Sequence, residues 1–342
     1  MKKMSIKAVA EALKISTATV SYILNGKAKE KRISDDLSKK VIAFVEKHNY
    51  KPNHLAKSLR TGKTNVIGLI VEDIADPFFS AVAGNIENIA YDNGYKIIYS
   101  STKNNTQKAI ELIKTFQERN VDGYIITPTE ALEETINSLI DKYLPVVLFD
   151  RNIFNSEISY VGVDNFNSVY QGVKYLIFQG YKNIAFLTLD STQNQMNDRL
   201  LGYQKAIQEN KQNAIVYKFD YWEARKRGIT DEIKTILSTH PEIDALFFGT
   251  NYLAMSGIEV LNDLRISIGE KMGVLVFDDN DLFRIHRPTI SSIDQPIYEM
   301  SKQLITTLLK HMENPQRYVP EQFSLPAKLI TRDSSNQKIT ER

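Results

Sequence analysis

Carboxylates, amides, arginines and aromatic rings gather at a few positions, each just after a short apolar run. Asp73, Asp76, Phe78 and Phe79 follow residues 66–71, with Pro77 fixing the turn. Asp150 and Arg151 follow 146–149, and Gln193, Asn194 and Arg199 follow Phe186 and Leu187. Trp222 lies near a run around Val216, Asn251 and Tyr252 follow Phe248, and Asp278 and Asp279 follow Phe277. Planar carboxylate, amide and guanidinium groups bridge neighbouring hydroxyls, and aromatic faces cover the apolar side of a pyranose ring. The mixture therefore suits a sugar or sugar derivative. A nucleobase would want aromatic walls with few carboxylates.

Other chemistries find less support. Asp278, Asp279 and Asp281 could hold Mg²⁺ or exchange protons, but carboxylates that bind hydroxyls look the same in a sequence. The five histidines, His48, His54, His240, His286 and His311, are scattered and form no ligand pair. There is no cysteine, hence no disulfide and no thiolate metal site, and no Gly-x-Ser-x-Gly elbow. Gly62-Lys63-Thr64 is not a phosphate loop: Lys57 stands where a glycine is required, and the segment precedes the first strand instead of following it. No glycine-rich fingerprint follows that strand. We expect a binding protein, not an enzyme, with no metal and no cofactor.

The elements that must position these residues are legible as alternation. Apolar runs at 66–71, 96–100, 123–126 and 146–149 alternate with amphipathic segments at 79–93, 106–119 and 133–143. The pattern restarts at 165–179 and continues through 183–187, 199–209, 224–238, 245–248, 252–263 and 272–277. Strand–helix alternation predicts parallel βαβ units, and two such sets predict two doubly wound sheets in an α/β body. Ligands of such sheets sit beyond the carboxyl ends of the strands, where the polar residues above are found.

The first sixty residues differ from the rest. Of 342 residues, 42% are hydrophobic and 25% charged, with a formal net charge of +2. Residues 1–63, however, hold 15 Lys and Arg against 5 Asp and Glu, leaving 28 basic and 36 acidic residues for the remainder. A basic head on an acidic body is what contact with a phosphate backbone by one domain requires. Within the head, Ser5 can cap a helix carrying Ile6, Val9, Ala10 and Leu13 at helical spacing. After Lys14-Ile15-Ser16, a second helix with Ser16 as cap runs to Asn25-Gly26. Its apolar face is Val20, Ile23 and Leu24, and its polar face is Thr17, Ala18, Ser21 and Tyr22. Beyond the basic loop 27–33, Ser34 caps a third helix whose Leu37, Val41, Phe44 and Val45 face inward, ending near Tyr50-Lys51-Pro52. Two short helices joined by a tight turn form a helix-turn-helix, whose second helix enters the major groove.

The run SIKAVAEALKISTATVSYILNG followed by YKPNHLAKSLRTGKTNVIGLIV resembles the lactose-repressor (LacI/GalR) family of bacterial regulators. The Ile-x-x-Val-Ala opening, Ser-x-x-Thr-Val-Ser helix, Asn-Gly stop and Tyr-x-Pro-Asn-x-x-Ala-x-x-Leu hinge all occur in order. The resemblance extends to about Arg332. It implies that Thr17, Ala18 and Tyr22 read base edges, while Ser16, Thr19, Ser21 and Asn25 cap the helix or hold phosphates. Tyr22 departs from the family's usual arginine, which reads guanine bidentately, so the target sequence should differ. Asn53, His54, Ala56, Leu59 and Arg60 fall in a hinge helix too short to be stable alone. In the family it folds on DNA, where Leu59 would be the wedge in the minor groove.

The same resemblance implies a body like that of periplasmic sugar-binding proteins, with two lobes, three crossovers near Asp164, Ser292 and Leu325, and a ligand in the cleft. The expected divisions are 1–50 for the helix-turn-helix and 51–63 for the hinge. One lobe takes 64–164 with 293–325, the other takes 165–292 with 326–335, and 336–342 forms a tail. Family position points to Phe78 or Phe79, Gln193, Arg199, Asn251 and Asp278 as effector contacts; Asp76, Asp150 and Trp222 complete the candidate set. We expect a homodimer on double-stranded DNA with a pseudo-palindromic operator, joined through 79–93 and 106–119. The stretch 333–342 is polar and too short for tetramer-forming heptads. The function implied is a transcriptional regulator, a repressor released by its effector, acting by linkage between lobe angle and hinge spacing. A regulator answering to a nucleobase or to a partner phosphoprotein is the alternative, and a sugar-processing enzyme with a DNA-binding head a distant one. No stretch approaches eighteen apolar residues and no apolar segment follows Lys2, Lys3 and Lys7, so a cytoplasmic, nucleoid-associated protein is expected. Replacing Leu59 with alanine should weaken specific operator binding measurably in a gel-shift titration; unchanged affinity would dismiss the wedge.

Overall fold

The computed structural model describes residues 4–50, 62–153, 157–317 and 319–336. The chain forms two compact units, Met1–Thr64 and Asn65–Arg342. The hinge segment read from the sequence lies outside the described residues.

In the first unit, α1 (Ile6–Leu13), α2 (Thr17–Leu24) and α3 (Asp35–Lys47) each begin at a serine. Ser5 Oγ accepts from the Ala8 N–H at 3.2 Å, Ser16 Oγ from the Thr19 N–H at 3.0 Å, and Ser34 Oγ from the Leu37 N–H at 3.4 Å. Each cap satisfies an amide that the helix itself leaves unbonded, a contribution of about 1 kcal/mol. Lys14 closes α1 in the left-handed region. The helices meet over Val9, Ala10, Val20, Ile23 and Val41, all buried. Helix α3 ends earlier than the proline signal suggests, because Asn49 takes a positive φ and Tyr50 donates its N–H back to the Val45 carbonyl at 3.0 Å.

The second unit contains two six-stranded sheets with the same strand pattern. The first comprises β1 (Val66–Val71), β2 (Lys96–Ser101), β3 (Gly123–Ile126), β4 (Val146–Phe149), β5 (Ser159–Val163) and β11 (Gln322–Leu325), in the order β11-β5-β4-β3-β1-β2. The second comprises β6 (Ile184–Leu189), β7 (Ile215–Phe219), β8 (Ala245–Phe248), β9 (Gly273–Phe277), β10 (Ser291–Asp294) and β12 (Lys328–Ile330), in the order β12-β10-β9-β8-β6-β7. All pairings are parallel except β10 with β12. Parallel strands are covered on both faces, which is why their sequences read as continuous apolar runs.

Helices supply those covers. On the first sheet, α4 (Pro77–Asp92) and α13 (Ile297–Glu313) pack one face through residues such as Val82, Ile86, Leu304 and Leu308. The opposite face takes α5 (Thr106–Glu118) and α6 (Glu133–Ile140). On the second sheet, α7 (Asn165–Phe178) and α8 (Asn194–Glu209) cover one side. Helices α10 (Thr230–Thr239) and α11 (Asn251–Asp263) cover the other. The chain passes between sheets after β5, between β10 and α13, and between β11 and β12.

Two sequence-based elements need correcting. The segment 224–238 is not one helix: α9 (Tyr221–Lys226) stops, Gly228 takes φ +74°, and α10 starts afresh. Helix α8 starts at Asn194, not Arg199, because its first turn is polar and carries no apolar period to read. That shift places Arg199 more than a turn inside the helix. Helices α7 and α8 lie so close that a Cβ at Gly202 would stand 2.3 Å from the Phe166 carbonyl oxygen. Gly202→Ala should therefore destabilise the body by about 1–3 kcal/mol, read as a lowered urea midpoint. An unmoved midpoint would contradict the close approach.

Candidate functional site

The strand-end turns converge on one cavity in the second unit, open to solvent on one side. Asp76, Phe78, Phe79, Asp150, Gln193, Arg199 and Asp278 of the sequence-selected set all line it. Asp76 caps α4, its Oδ1 accepting the Phe78 N–H at 3.0 Å, and Pro77 opens the helix. Phe78, Phe79 and Phe149 form an aromatic wall with ring centroids 5.0–6.0 Å apart.

Asp150 and Asp278 hold equivalent places in the two sheets. Each follows the fourth strand of its pattern, each donates its N–H to the next strand (Val161 O at 3.1 Å, Ile293 O at 3.0 Å), and each has a positive φ, +66° and +78°. Left-handed backbone at a non-glycine residue is strained, and the ladder bond on either side holds it there. Both carboxyls line the cavity.

Arg199 reaches the same cavity from α8, buried to 4% exposure. Its Nε donates to Asn165 Oδ1 at 2.8 Å and its Nη1 to the Gly249 carbonyl at 2.7 Å. The guanidinium lies 3.5 Å above the Phe277 ring. Burial lowers its pKa, and Asp278 and Asp150 oppose that. Burial likewise pushes the Asp278 carboxyl up to about 6, with Asp76 adding to the shift and Arg199 and a bond from Gln295 resisting it. Asp150 is pushed up to about 7 by burial, with Asp278 and Asp76 reinforcing and Arg199 opposing. Arg151, brought down to about 10 by burial, pairs with Glu72 and donates to Asn104 Oδ1 at 2.5 Å.

Polar bridges span the two sheets around the cavity. Arg225 of α9 donates to Asp73 Oδ2 at 2.6 Å and Asp76 Oδ2 at 3.2 Å, with Tyr252 beneath it at 4.7 Å. Lys103 also meets Asp73, at 2.7 Å. Asn251 does not line the cavity; its side chain donates to Asp76 Oδ1 at 3.4 Å. The Asn152 N–H donates to Asn194 Oδ1 at 3.1 Å. Arg225 escaped the sequence reading, which favoured Trp222 three residues earlier. Trp222 is 49% exposed, meets Tyr221 edge-on and stays out of the cavity lining. A basic residue one turn along a short helix from an aromatic was the available signal. Glu72, Gln195 and Gln295 were also missed: Glu72 directly follows β1 and was readable beside Asp73, whereas Gln195 lies in the first turn of a helix and Gln295 follows a strand the sequence reading did not assign.

The three aspartates weighed for a metal are separated. Asp278 faces the cavity, Asp279 pairs with Arg332 at 2.7 Å and accepts from Ser292, and Asp281 pairs with Arg284 at an exposed site.

The first unit presents its own face. Thr17, Ala18 and Tyr22 of α2 are exposed, Tyr22 to 37%, with the Lys31 ammonium 5.6 Å above its ring. Ser16 binds Thr19 through both backbone and hydroxyl, and the Asn25 amide donates to the Ser21 carbonyl at 2.7 Å, so these four secure the helix ends. Asn53, His54, Ala56, Leu59 and Arg60 lie outside the described residues. Among the described residues no helix is long and apolar enough to cross a membrane.

Comparison with known proteins matches both units. Residues 5–53 fit the profile described as bacterial regulatory proteins, lacI family, and residues 173–335 fit the periplasmic binding protein-like domain. The chain is 29% identical over 332 residues to catabolite control protein A of Priestia megaterium, spanning 96% of this chain and 98% of that one. It is 26% identical over 331 residues to the ribose operon repressor of Halalkalibacterium halodurans, spanning 97% of each. The fold matches the lac repressor dimer bound to operator and the anti-inducer ONPF with a TM-score of 0.85 at 19% identity, over 98% of this chain and 100% of that one.

The raised carboxyls make stability depend on pH. In the unfolded chain an aspartate titrates near 3.9; in the fold Asp278 and Asp150 keep their protons to about 6 and about 7. Protonation thus favours the fold, fully below the unfolded value, and this contribution is lost as pH rises through the folded values. Thermal denaturation followed across that window should show a falling midpoint with a shallower fall in Asp150→Asn. An equal slope in both proteins would show that Asp150 does not titrate there.

Proposed function

The chain carries a LacI-family head on a periplasmic binding protein-like body, and on that premise we propose that it is a transcriptional repressor whose operator affinity is set by a small molecule. The observation that carries the reading is the exposed Thr17–Ala18–Tyr22 face of a doubly secured α2 in a unit rich in lysine. A helix so presented docks in a major groove, where side chains read base edges and basic groups hold phosphates. Tyr22 offers one hydroxyl and a ring where a guanidinium would grip guanine, so its operator departs from those read by arginine. The protein acts as a homodimer on a pseudo-palindromic site, with Leu59 and Arg60 entering the minor groove.

The effector is a sugar or sugar derivative held in the body's cavity. Arg199, fixed by two hydrogen bonds and a ring, orients hydroxyls together with Asp150 and Asp278, while Phe78 and Phe79 cover an apolar face. The name of the ribose operon repressor among its relatives agrees with this ligand class. The aromatic wall also suits a nucleobase, but four carboxylates in the lining, Glu72, Asp76, Asp150 and Asp278, favour hydroxyls. Binding shifts the angle between the two sheets, and with it the spacing of the paired hinges, so effector and operator affinities change each other by the same factor.

Selection of operators from random duplexes, followed by titration with and without sugars and nucleobases, tests both sites. A sugar that changes operator affinity supports the reading; operator binding indifferent to every effector that binds the body would refute the coupling. Tyr22→Ala should flatten base preference at the positions it reads by about 1 kcal/mol. An unaltered preference profile would remove Tyr22 from the readout.

A further inference from the structure

The cavity's charges do not balance. Its lining holds Glu72, Asp76, Asp150 and Asp278 against Arg151 and Arg199. Glu72 is matched by Arg151 and Asp76 by Arg225. Asp150 and Asp278 are then left with Arg199 as the cation between them. Asp278 has further support, since the Gln295 amide donates to its Oδ1 at 2.5 Å. Asp150 has almost none. Its carboxylate accepts no hydrogen bond among the described residues, and its nearest cation, Arg151 Nε at 3.5 Å, belongs to a guanidinium engaged with Glu72, Asn104 and the Pro128 carbonyl. A carboxylate 7% exposed without a donor is costly unless something supplies one.

The neighbouring polar atoms have the same deficit. Gln195 Oε1 and Gln295 Oε1 line the same cavity, are buried and have no partner among the described residues. Both are pure acceptors, because each amide nitrogen is engaged, Gln195 Nε2 with Gln193 and Gln295 Nε2 with Asp278. Four guanidinium nitrogens, Arg199 Nε and Nη1 and both Arg151 terminal nitrogens, are committed to protein, and Arg151 Nε is buried without a hydrogen-bond partner 3.5 Å from Asp150 Oδ2. What the cavity lacks is a cation of its own for Asp150 and donors for the two glutamine oxygens.

From this juxtaposition we propose that the effector carries a protonated amine, so that the ligand class is an amino sugar or aminated polyol and the ammonium pairs with Asp150. An ammonium brings one charge, three donors and no acceptor. A hydroxyl brings one donor, two lone pairs and no charge, and supplies no partner that would hold Asp150 ionised. A sugar phosphate or sugar acid adds negative charge to a site that already has too much. The assignment rests on the sugar reading above and narrows it.

The test is calorimetric titration of the full-length protein with glucose, galactose and mannose, each beside its 2-amino-2-deoxy counterpart, with glucose 6-phosphate as the anionic probe. At least one amine should bind about tenfold or more tighter than its neutral parent, the gain expected of a charge-assisted bond in a buried site. Glucose 6-phosphate should not bind. Asp150→Asn keeps the side chain's size and tolerates the left-handed backbone, and it should bring the amine-to-parent ratio to within about twofold, the residue of a lost ion pair. The ratio in the unaltered protein is itself decisive should the variant fold poorly. Neutral sugars binding as tightly as their amines, or a preference that survives in Asp150→Asn, would overturn the amine assignment while leaving the sugar reading intact. Silence from all six sugars alongside binding of a nucleobase would overturn the sugar reading, and silence from every probe would overturn both.

Discussion

The polar groups of the second sheet's part of the cavity are organised around Arg199, a guanidinium nearly excluded from water. An ion in that position is stable only if its surroundings are rigid and oppositely charged. Asn165 and Gly249 fix two of its nitrogens, Phe277 supports its face, and two aspartates supply the charge. These partners come from α7, the turn after β8, and β9, so the arginine ties several elements of the second sheet to one point. The aspartates in turn exist at that point only because the backbone after β4 and after β9 turns left-handed. The site is therefore a property of the folded sheets, with little left to loop flexibility.

The head is stabilised on a different scale. Among the described residues its core is six buried side chains, too small to tolerate frayed helices, and each helix accordingly begins with a serine whose hydroxyl satisfies a free amide. Because Ser16, Thr19, Ser21 and Asn25 secure the ends of α2, the side chains between them are free to face outward. Stability and recognition occupy alternate positions on one short helix.

Parallel strands buried on both faces announce themselves as apolar runs, so β1, β3, β4, β8 and β9 were plain in the sequence, as were the serine-capped helices. Where an element's period was masked, reading failed. The polar first turn of α8 concealed its start, Gly228 split a segment whose apolar spacing looks continuous, and α13 with the short strands β5, β10, β11 and β12 went unassigned because they flank the chain crossings, where sequence order no longer predicts spatial order. The same limit governs the cavity. Residues that directly follow strands, such as Asp150 and Asp278, could be picked out, because topology puts strand ends together. Arg225 and Gln295 approach from a neighbouring helix and a crossing segment, and only the packing of the two sheets brings them in. Trp222 illustrates the converse: an eye-catching residue type whose helix turns it to solvent.

The three chain crossings carry a mechanical consequence. One covalent connection between two bodies leaves them nearly free, and two leave a swivel. Three side by side, after β5, between β10 and α13, and between β11 and β12, act as parallel flexures. They resist shear and separation and leave bending about a single axis as the soft motion. A device with one soft coordinate can be driven by a small load, and the bonds from Arg225 to Asp73 and Asp76 join its two halves. The body is thus built like a pair of tweezers, in which a few ångströms at the tips correspond to a small, well-defined rotation at the pivot.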